Sequence, residues 1–490
     1  MKPLHSALLL LLLSFGVVAQ EPARPNVLVF LVDDLGQRDL GCYGSTFYET
    51  PNIDRLAKSG MLFSDAYAAC PVCSPTRASL MTGLWPQRTG ITDYINSGGG
   101  NQPKQWNRNT VLLPAPYNDR LSLDSPTLAK VLKRTGYATF FAGKWHLGPE
   151  GFWPENQGFD VNQGGVDRGG PYGGKKYFSP YGNPRLTDGP EGEHLPDRLA
   201  TETNKFIEQH AKKPFFAYLS FYSVHTPLMA RDDLRQKYEL KRKQMQLQPR
   251  WGRDQFRDVR LVQEHAIYAA MVEAMDAAVG KVLTKLEELK LTDNTLILFT
   301  SDNGGLSTSE GWPTSNVPWR AGKGWLYEGG IREPLIISWP GKIQKKSTSA
   351  FPVSSPDVMP TILEATGAKP LEKQVLDGVS LLPLFSGKEL TSRPIFWHYP
   401  HYGNQGGAPG AAIRQDQWKL IEWFEDRRTE LYDLQNDPSE TINLANKHPD
   451  IAADLQKKLH QWQLQVDAKL PTINPKYDLA KQNGRIAYRK

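Results

Sequence analysis

The sequence predicts an α/β protein: a large, mostly parallel sheet flanked by helices, followed by a small unit of antiparallel strands with a helix. Three observations predict it. Short, continuous apolar runs recur along the chain, as strands buried on both faces do. Helical patterns lie between these runs, the alternation that joins parallel strands by crossovers. Beyond residue 393 the runs become shorter and closer together, as in strands joined by hairpins.

In chain order, the first segment is expected to be removed rather than folded. Lys2 and His5 precede an apolar run at 7–18 that is too short to span a bilayer, and Val17 and Ala19 are small residues at a signal-peptidase spacing. Residues 1–19 therefore read as a secretory signal, and no cysteine follows to carry a lipid anchor. No later stretch is long and apolar enough for a membrane span. No N-x-Ser/Thr sequon occurs among the 490 residues, so bacterial export, to the periplasm or beyond, is expected.

Residues 20–392 are expected to form the large domain. Its strands are read at 26–32, ending at Asp33-Asp34; at 137–142, ending at Gly143-Lys144; and at 215–221, shortly before His225. Two more are read at 295–300, ending at Ser301-Asp302-Asn303-Gly304, and at 335–339, ending at Pro340-Gly341. The longest helical pattern covers about 262–289. Polar residues at four strand ends aim at one edge, where open α/β sheets hold their ligands. Residues 97–123 and 148–197 are rich in Gly, Pro, Asn and Tyr and read as long loops over that crevice. The basic, Gln-rich stretch 231–260 reads as a solvated helix, with substrate contact as the alternative. Residues 393–490 are expected to form the C-terminal unit: short strands at 395–399, 411–413, 419–423 and 430–432, a helix over 449–466, and an extended tail from Pro471.

Composition narrows the chemistry. The net charge of +6 and pI near 8.9 suit an anionic substrate; no nucleic-acid partner is expected. Only Cys42, Cys70 and Cys73 occur, which leaves at least one thiol unpaired in an exported chain. Cys73 precedes Pro75, a residue suited to the first turn of a helix, so it reads as sitting just before a helix start. There a thiolate would be activated by free N–H groups and by Arg77; a buried structural cysteine beside a cap is the alternative. Asp33, Asp34, Asp302 and Asn303 offer only oxygen ligands, which select a hard divalent cation, Ca²⁺ or Mg²⁺. Two Asx turns at strand ends would use the same residues.

Cys73-Ser74-Pro75-Thr76-Arg77, with Thr82-Gly83 downstream, resembles the signature of the type I sulfatases. Other segments resemble that family in its own order: Asp33-Asp34, Gly143-Lys144-Trp145-His146, His225-Thr226-Pro227, Ser301-Asp302-Asn303-Gly304, Lys323, Glu328-Gly329-Gly330, and Leu431-Tyr432-Asp433-Leu434. The resemblance implies an alkaline-phosphatase-like fold and sulfate-ester hydrolysis. It implies that a formylglycine-generating maturation enzyme oxidises Cys73 to formylglycine, which accounts for the odd thiol. It implies one Ca²⁺ held by Asp33, Asp34, Asp302, Asn303 and residue 73.

The roles it implies are as follows. One hydroxyl of hydrated residue 73 attacks sulfur, with Asp302 as base. His225, helped by Lys323, protonates the leaving oxygen, and His146 assists sulfate release by taking the proton of the second hydroxyl. Arg77, Lys144 and Lys323 stabilise the sulfuryl oxygens. A phosphomonoester or phosphonate-ester hydrolase of the same superfamily is the competing reading, and a non-catalytic binder of sulfated glycans a third. The chain is similar to bacterial sulfatases of sulfated polysaccharides, including galactose- or N-acetylgalactosamine-sulfate units. His398 and His401, beside the Gly-rich stretch 403–410, are the expected sugar contacts.

Overall fold

The computed structural model describes residues 24–96 and 98–486; the expected signal segment lies outside them. Its main sheet has eight strands: β1 (Asn26–Val32), β2 (Met61–Phe63), β3 (Ala138–Gly143), β4 (Val161–Gln163), β5 (Phe215–Ser220), β6 (Thr295–Ser301), β7 (Leu335–Ser338) and β8 (Ser347–Ser349). Their order is β8-β2-β7-β6-β1-β5-β3-β4. β1 pairs in parallel with β5 and β6, and β3 with β4 and β5. β7 runs antiparallel to both β6 and β2, while β8 is parallel to β2. Only β7 therefore opposes the common direction, and its first residue, Leu335, meets Thr300 at the sheet edge where the other strands end.

β1 is buried along its whole length, and its alternate side chains feed two cores. Leu28, Phe30 and Val32 pack on one face with residues of α3 (Leu195–Gln209) and α5 (Ala266–Glu288). Val27, Val29 and Leu31 pack on the other with α2 (Cys73–Thr82) and α6 (Val358–Thr366). α1 (Pro51–Ser59) and α4 (Asp232–Gln244) lean on α5. α4 accounts for only the first part of the stretch 231–260 read as one solvated helix, with Tyr238 its one buried residue; the last part is folded back and partly buried. A hairpin, Trp251–Asp254 with Arg257–Arg260, follows it.

The C-terminal unit is a four-stranded antiparallel sheet, β9 (Ile395–Tyr399), β10 (Gly410–Gln415), β11 (Trp418–Trp423) and β12 (Thr429–Asp433), in that order. α7 (Pro449–Gln465) packs on it. Its core is not its own. Trp397, Trp423 and Trp462 cluster with Tyr67, Val72, Trp325 and Tyr327 of the preceding unit. The tail from Pro471 is extended, and Thr472–Ile473 pairs with Leu112–Leu113 in the loop after α2.

Candidate active site

The functional residues gather where β1, β3, β5 and β6 end. After β1 the chain turns at Asp34, whose φ of 62° lies in the left-handed region that aspartate tolerates. At the end of β3, Gly143 (φ 96°) comes so close to β5 that a Cβ there would stand 1.8 Å from the Ser220 carbonyl oxygen. Only glycine permits that approach, and it sets Lys144 beside Asp33: Nζ to Oδ2 is 2.6 Å, with neither side chain exposed.

Arg77, one turn into α2, fastens three strand ends together. Its Nε donates to Asp302 Oδ2 and its Nη1 to the Lys144 carbonyl and Ser220 Oγ, each at 2.8 Å. Asp302 Oδ1 accepts the Asp34 N–H at 3.2 Å. Asn303 Nδ2 donates to Asp34 Oδ1 at 2.9 Å. Lys323 reaches in from the loop before β7 and lies 2.7 Å from Asp34 Oδ1 and 2.9 Å from Oδ2. Burial favours a neutral Asp34, but Lys323, then His225 and Lys144, hold its carboxyl well below the usual range. Three acidic side chains thus face three cations, Asp33, Asp34 and Asp302 against Arg77, Lys144 and Lys323; without a metal ion, burial pushes the Asp33 carboxyl up in spite of Lys144.

Two oxygens in this buried cluster, Asp33 Oδ1 and Asn303 Oδ1, have no hydrogen-bond partner. Buried oxygens are rarely left so, and a cation would satisfy both. Donor atoms of Asp33, Asp34 and His225 lie within 4.8 Å of one another and could hold a metal ion. The residues present therefore fit a divalent cation. Asp302 and Asn303 adjoin that triad through their hydrogen bonds to Asp34. His225 enters it from sequence reasoning that had assigned it elsewhere; its Nε2 is 3.8 Å from Asp34 Oδ2.

Cys73 is the first residue of α2 rather than the residue before it. Its Sγ lies 3.4 Å from His146 Nδ1, and Ser74 Oγ lies 3.2 Å from the same nitrogen. His146 Nε2 is 2.7 Å from the Ile95 carbonyl oxygen. A carbonyl only accepts, so Nε2 carries the ring proton and Nδ1 turns its lone pair to residue 73. Burial, then Lys144, holds His146 well below its ordinary pKa, which keeps that nitrogen unprotonated; Ser74 Oγ, which accepts the Ile95 N–H, shares it with residue 73. In the same way His225 Nδ1 faces the Thr226 carbonyl at 2.7 Å, and burial lowers its pKa to about 4. The activated thiolate expected at Cys73 is not favoured: burial raises its pKa, and Lys144 and Lys323 offset that only in part.

A cavity of about 710 Å³ opens above Cys73, His146, His225 and Lys323, and its rim includes Tyr172, Glu310, Asn404 and Gln405. Lys323 alone of the three cations lines it; Arg77 and Lys144 hold carboxylates behind the floor. The expected sugar contacts stand elsewhere. His398 is buried, with Nε2 2.8 Å from the Lys469 carbonyl and Nδ1 3.1 Å from Gln463 Nε2. His401 is fully buried, 2.9 Å from Thr92 Oγ1. Both side chains are taken up by packing around β9, and it is the Gly-rich loop beyond them that reaches the rim. Tyr172, Glu310, Asn404 and Gln405 were not singled out by residue type; only the compositions of the loops bearing Tyr172, Asn404 and Gln405 pointed to the crevice. Cys42, Cys70 and Cys73 are all free thiols.

The comparisons with known proteins agree with this geometry. A family model described as "Sulfatase" matches residues 25–368, and one described as "N-sulphoglucosamine sulphohydrolase, C-terminal" matches residues 319–465. A protein named sulfatase from Formosa agariphila is 32% identical, over 91% of this chain and 90% of that one. The N-acetylgalactosamine-6-sulfatase of Canis lupus familiaris is 35% identical, over 80% of this chain and 72% of that one. The crystal structure of Ps i-CgsB in complex with k-i-k-neocarrahexaose superposes with a TM-score of 0.72 at 31% identity, over 90% of this chain and 92% of that chain.

Proposed function

The chain belongs to the sulfatase family and is a sulfuric ester hydrolase; from that premise we propose an exported enzyme that cleaves sulfate esters of saccharides at residue 73, oxidised to formylglycine, beside one Ca²⁺. The observation that carries the reading is the placement of Cys73 at the cavity floor, 3.4 Å from the lone pair of His146 and next to the buried Asp-Asp-His cluster. Burial, which raises the Cys73 thiol, counts against an unmodified thiolate as the nucleophile. As a hydrated aldehyde, residue 73 would present hydroxyls where the thiol now stands. Asp33, Asp34, Asp302 and Asn303 would hold the Ca²⁺, which supplies positive charge to sulfuryl oxygens.

The chain's own residues then divide the work. His146, with its proton fixed on Nε2 by Ile95, takes a proton at Nδ1 from residue 73. Lys323 holds the substrate anion from inside the cavity. Arg77 and Lys144 keep Asp302 and Asp33 in register. His225 acts on the leaving-group side; to give a proton it must be protonated at Nε2, since its Nδ1–H is engaged by Thr226. A formylglycine-generating enzyme, the signal at 1–19, and the division into 20–392 and 393–490 complete the reading. Among the described residues no helix is long and apolar enough to cross a membrane.

The test uses purified, matured enzyme on a nitrophenyl sulfate and the matching phosphate. The sulfate should be turned over preferentially. Exhaustive chelation should abolish turnover, and Ca²⁺ should restore it better than Zn²⁺. Full activity in a verified metal-free state would remove the cation from the reading, and preference for the phosphate would replace it with the phosphoester hydrolase.

A further inference from the structure

The rim of the cavity is built by two loops from distant parts of the chain. Glu310 lies in the loop after β6; Asn404 and Gln405 lie between β9 and β10. Asn404 Nδ2 donates to Glu310 Oε1 at 2.9 Å, and Gln405 Nε2 donates to the same oxygen at 2.6 Å. Oε2 has no partner among the described residues. Gln405 is buried and its own Oε1 is also unpartnered. The loop that carries these amides is seated hard against Lys323: a Cβ on Gly407 would stand 1.7 Å from the Gly324 carbonyl oxygen, and one on Gly324 2.7 Å from Gln405 Oε1. Trp325 Nε1 donates to the Gln405 carbonyl at 3.0 Å. Glu310 is therefore fixed with one oxygen saturated and the other free.

Its charge is not neutralised by a salt bridge among the described residues, and it is felt at Lys323, Tyr94 and Tyr172. Of the other charged residues that line the cavity, Asp167 and Arg168 are one of each sign and Lys323 is paired with Asp34, so Glu310 brings a negative charge with no ion-pair partner among the described residues. That is costly in a pocket for an anion unless it selects. A fixed carboxylate oxygen accepts from a hydroxyl or amide N–H and repels a second anion. Tyr172, 47% exposed and edge-on to His225 at 6.3 Å, offers an apolar face alongside, which suits a sugar ring.

We propose that Glu310, clamped by Asn404 and Gln405, is the specificity-determining residue of this site: it accepts a hydrogen bond from an uncharged donor on the sulfated sugar and rejects substrates with a second anionic group beside the scissile sulfate. The inference rests on the saccharide sulfatase reading. The test compares kcat/KM on a panel of hexose and N-acetylhexosamine monosulfates with their disulfated counterparts, alongside a nitrophenyl sulfate. The wild type should favour its best monosulfated sugar over the disulfated form by about tenfold or more, and Glu310→Gln should collapse that ratio by about tenfold, the size of one hydrogen bond to a charged group. Asn404→Ala, which frees the carboxylate without removing it, should shift the ratio the same way by less. Thermal melts of both variants separate misfolding from selectivity, since a general loss of structure lowers all rates together. An unchanged ratio in Glu310→Gln, a wild type indifferent to the second sulfate, or turnover of the aryl sulfate with none of the sugars would overturn the proposal. Failure on the aryl sulfate as well would point instead to the sulfatase reading beneath it.

Discussion

The two pocket histidines differ by which nitrogen a backbone carbonyl has claimed. Ile95 claims Nε2 of His146, and Thr226 claims Nδ1 of His225. The first presents a basic nitrogen to residue 73; the second turns Nε2 toward Asp34 and, in the proposed reading, serves the leaving group. His225→Ala should therefore slow a sugar sulfate, whose alkoxide leaves poorly, more than a nitrophenyl sulfate, by a margin on the order of 10²–10⁴-fold. His146→Ala should slow both alike, because release of sulfate from residue 73 does not involve the departed alcohol. Equal losses on both substrates for His225→Ala would sink the assignment. Cys73→Ala should abolish turnover, and the tryptic peptide 59–77 of active protein should carry an aldehyde in place of the thiol; active protein with only thiol there would refute the modification. The strand-end residues of this site were legible in the sequence because an apolar run that stops at Asp33 or Asp302 is a local pattern. His398 and His401 do not line the cavity because partners distant in sequence turn them inward: Gln463 of α7 meets His398, and Thr92 meets His401.

At the scale of elements, α1 is capped from outside. Thr50 makes no side-chain cap bond to it. Asp276 of α5 supplies the acceptors: Oδ1 takes the Ile53 N–H at 2.8 Å, and Oδ2 takes the Asn52 N–H at 3.2 Å and Asn52 Nδ2 at 2.8 Å. Losing buried partners of this kind costs about 1–3 kcal/mol. Asp276→Ala should speed hydrogen exchange at the Asn52 and Ile53 amides by about tenfold or more, the kinetic reading of that cost. Unaltered exchange there would show that α1 is held by packing alone. The long strands β1, β3, β5 and β6 were readable as continuous runs because the sheet is covered on both faces. β2, β4 and β8 have three residues each, too few to make a run. The reversal of β7 was not readable, since the composition of a doubly buried strand carries no direction.

At the scale of the molecule, a buried charge cluster joins the C-terminal sheet to the rest. Lys419 of β11 lies 2.9 Å from Glu328 and 2.8 Å from Glu440, with no exposure of the three side chains beyond a trace. Glu440 also accepts the Glu328 N–H, and Glu328 accepts from the Tyr67 hydroxyl and Arg332. Lys419 is shared by the two carboxyls, and of these Arg332 reaches only Glu328. Burial raises Glu440 to about 7 against the pull of Lys419, while Lys419 and Arg332 overcome burial at Glu328 and lower it to about 2. A carboxyl raised on folding contributes stability that is complete below its unfolded pKa, about 4.3, and is lost as pH rises through about 7. Glu328 works the other way, losing its contribution only as pH falls toward about 2. Glu440→Gln should therefore remove a decline in melting temperature between pH 5 and 8 that the wild type shows, on the order of that titration window. Parallel melting profiles for the two proteins would refute the raised titration of Glu440. Sequence patterns located these strands but not this joint, because a Lys in β11 and a Glu after β12 look like surface residues until a third partner is brought between them.

Cys73 is 3% exposed once folded, and residues that line the cavity with it come late in the chain. Lys323 follows it by 250 residues and Gln405 by more than 300, so at common rates of synthesis roughly half a minute passes before the cavity is complete. If residue 73 is oxidised as proposed, the modifying enzyme would have that interval in which to reach it. The yield of active protein would then be a race between modification and folding, set by the order in which the polypeptide is made, and any change that hastens closure over α2 would leave more molecules sealed with an unreacted thiol.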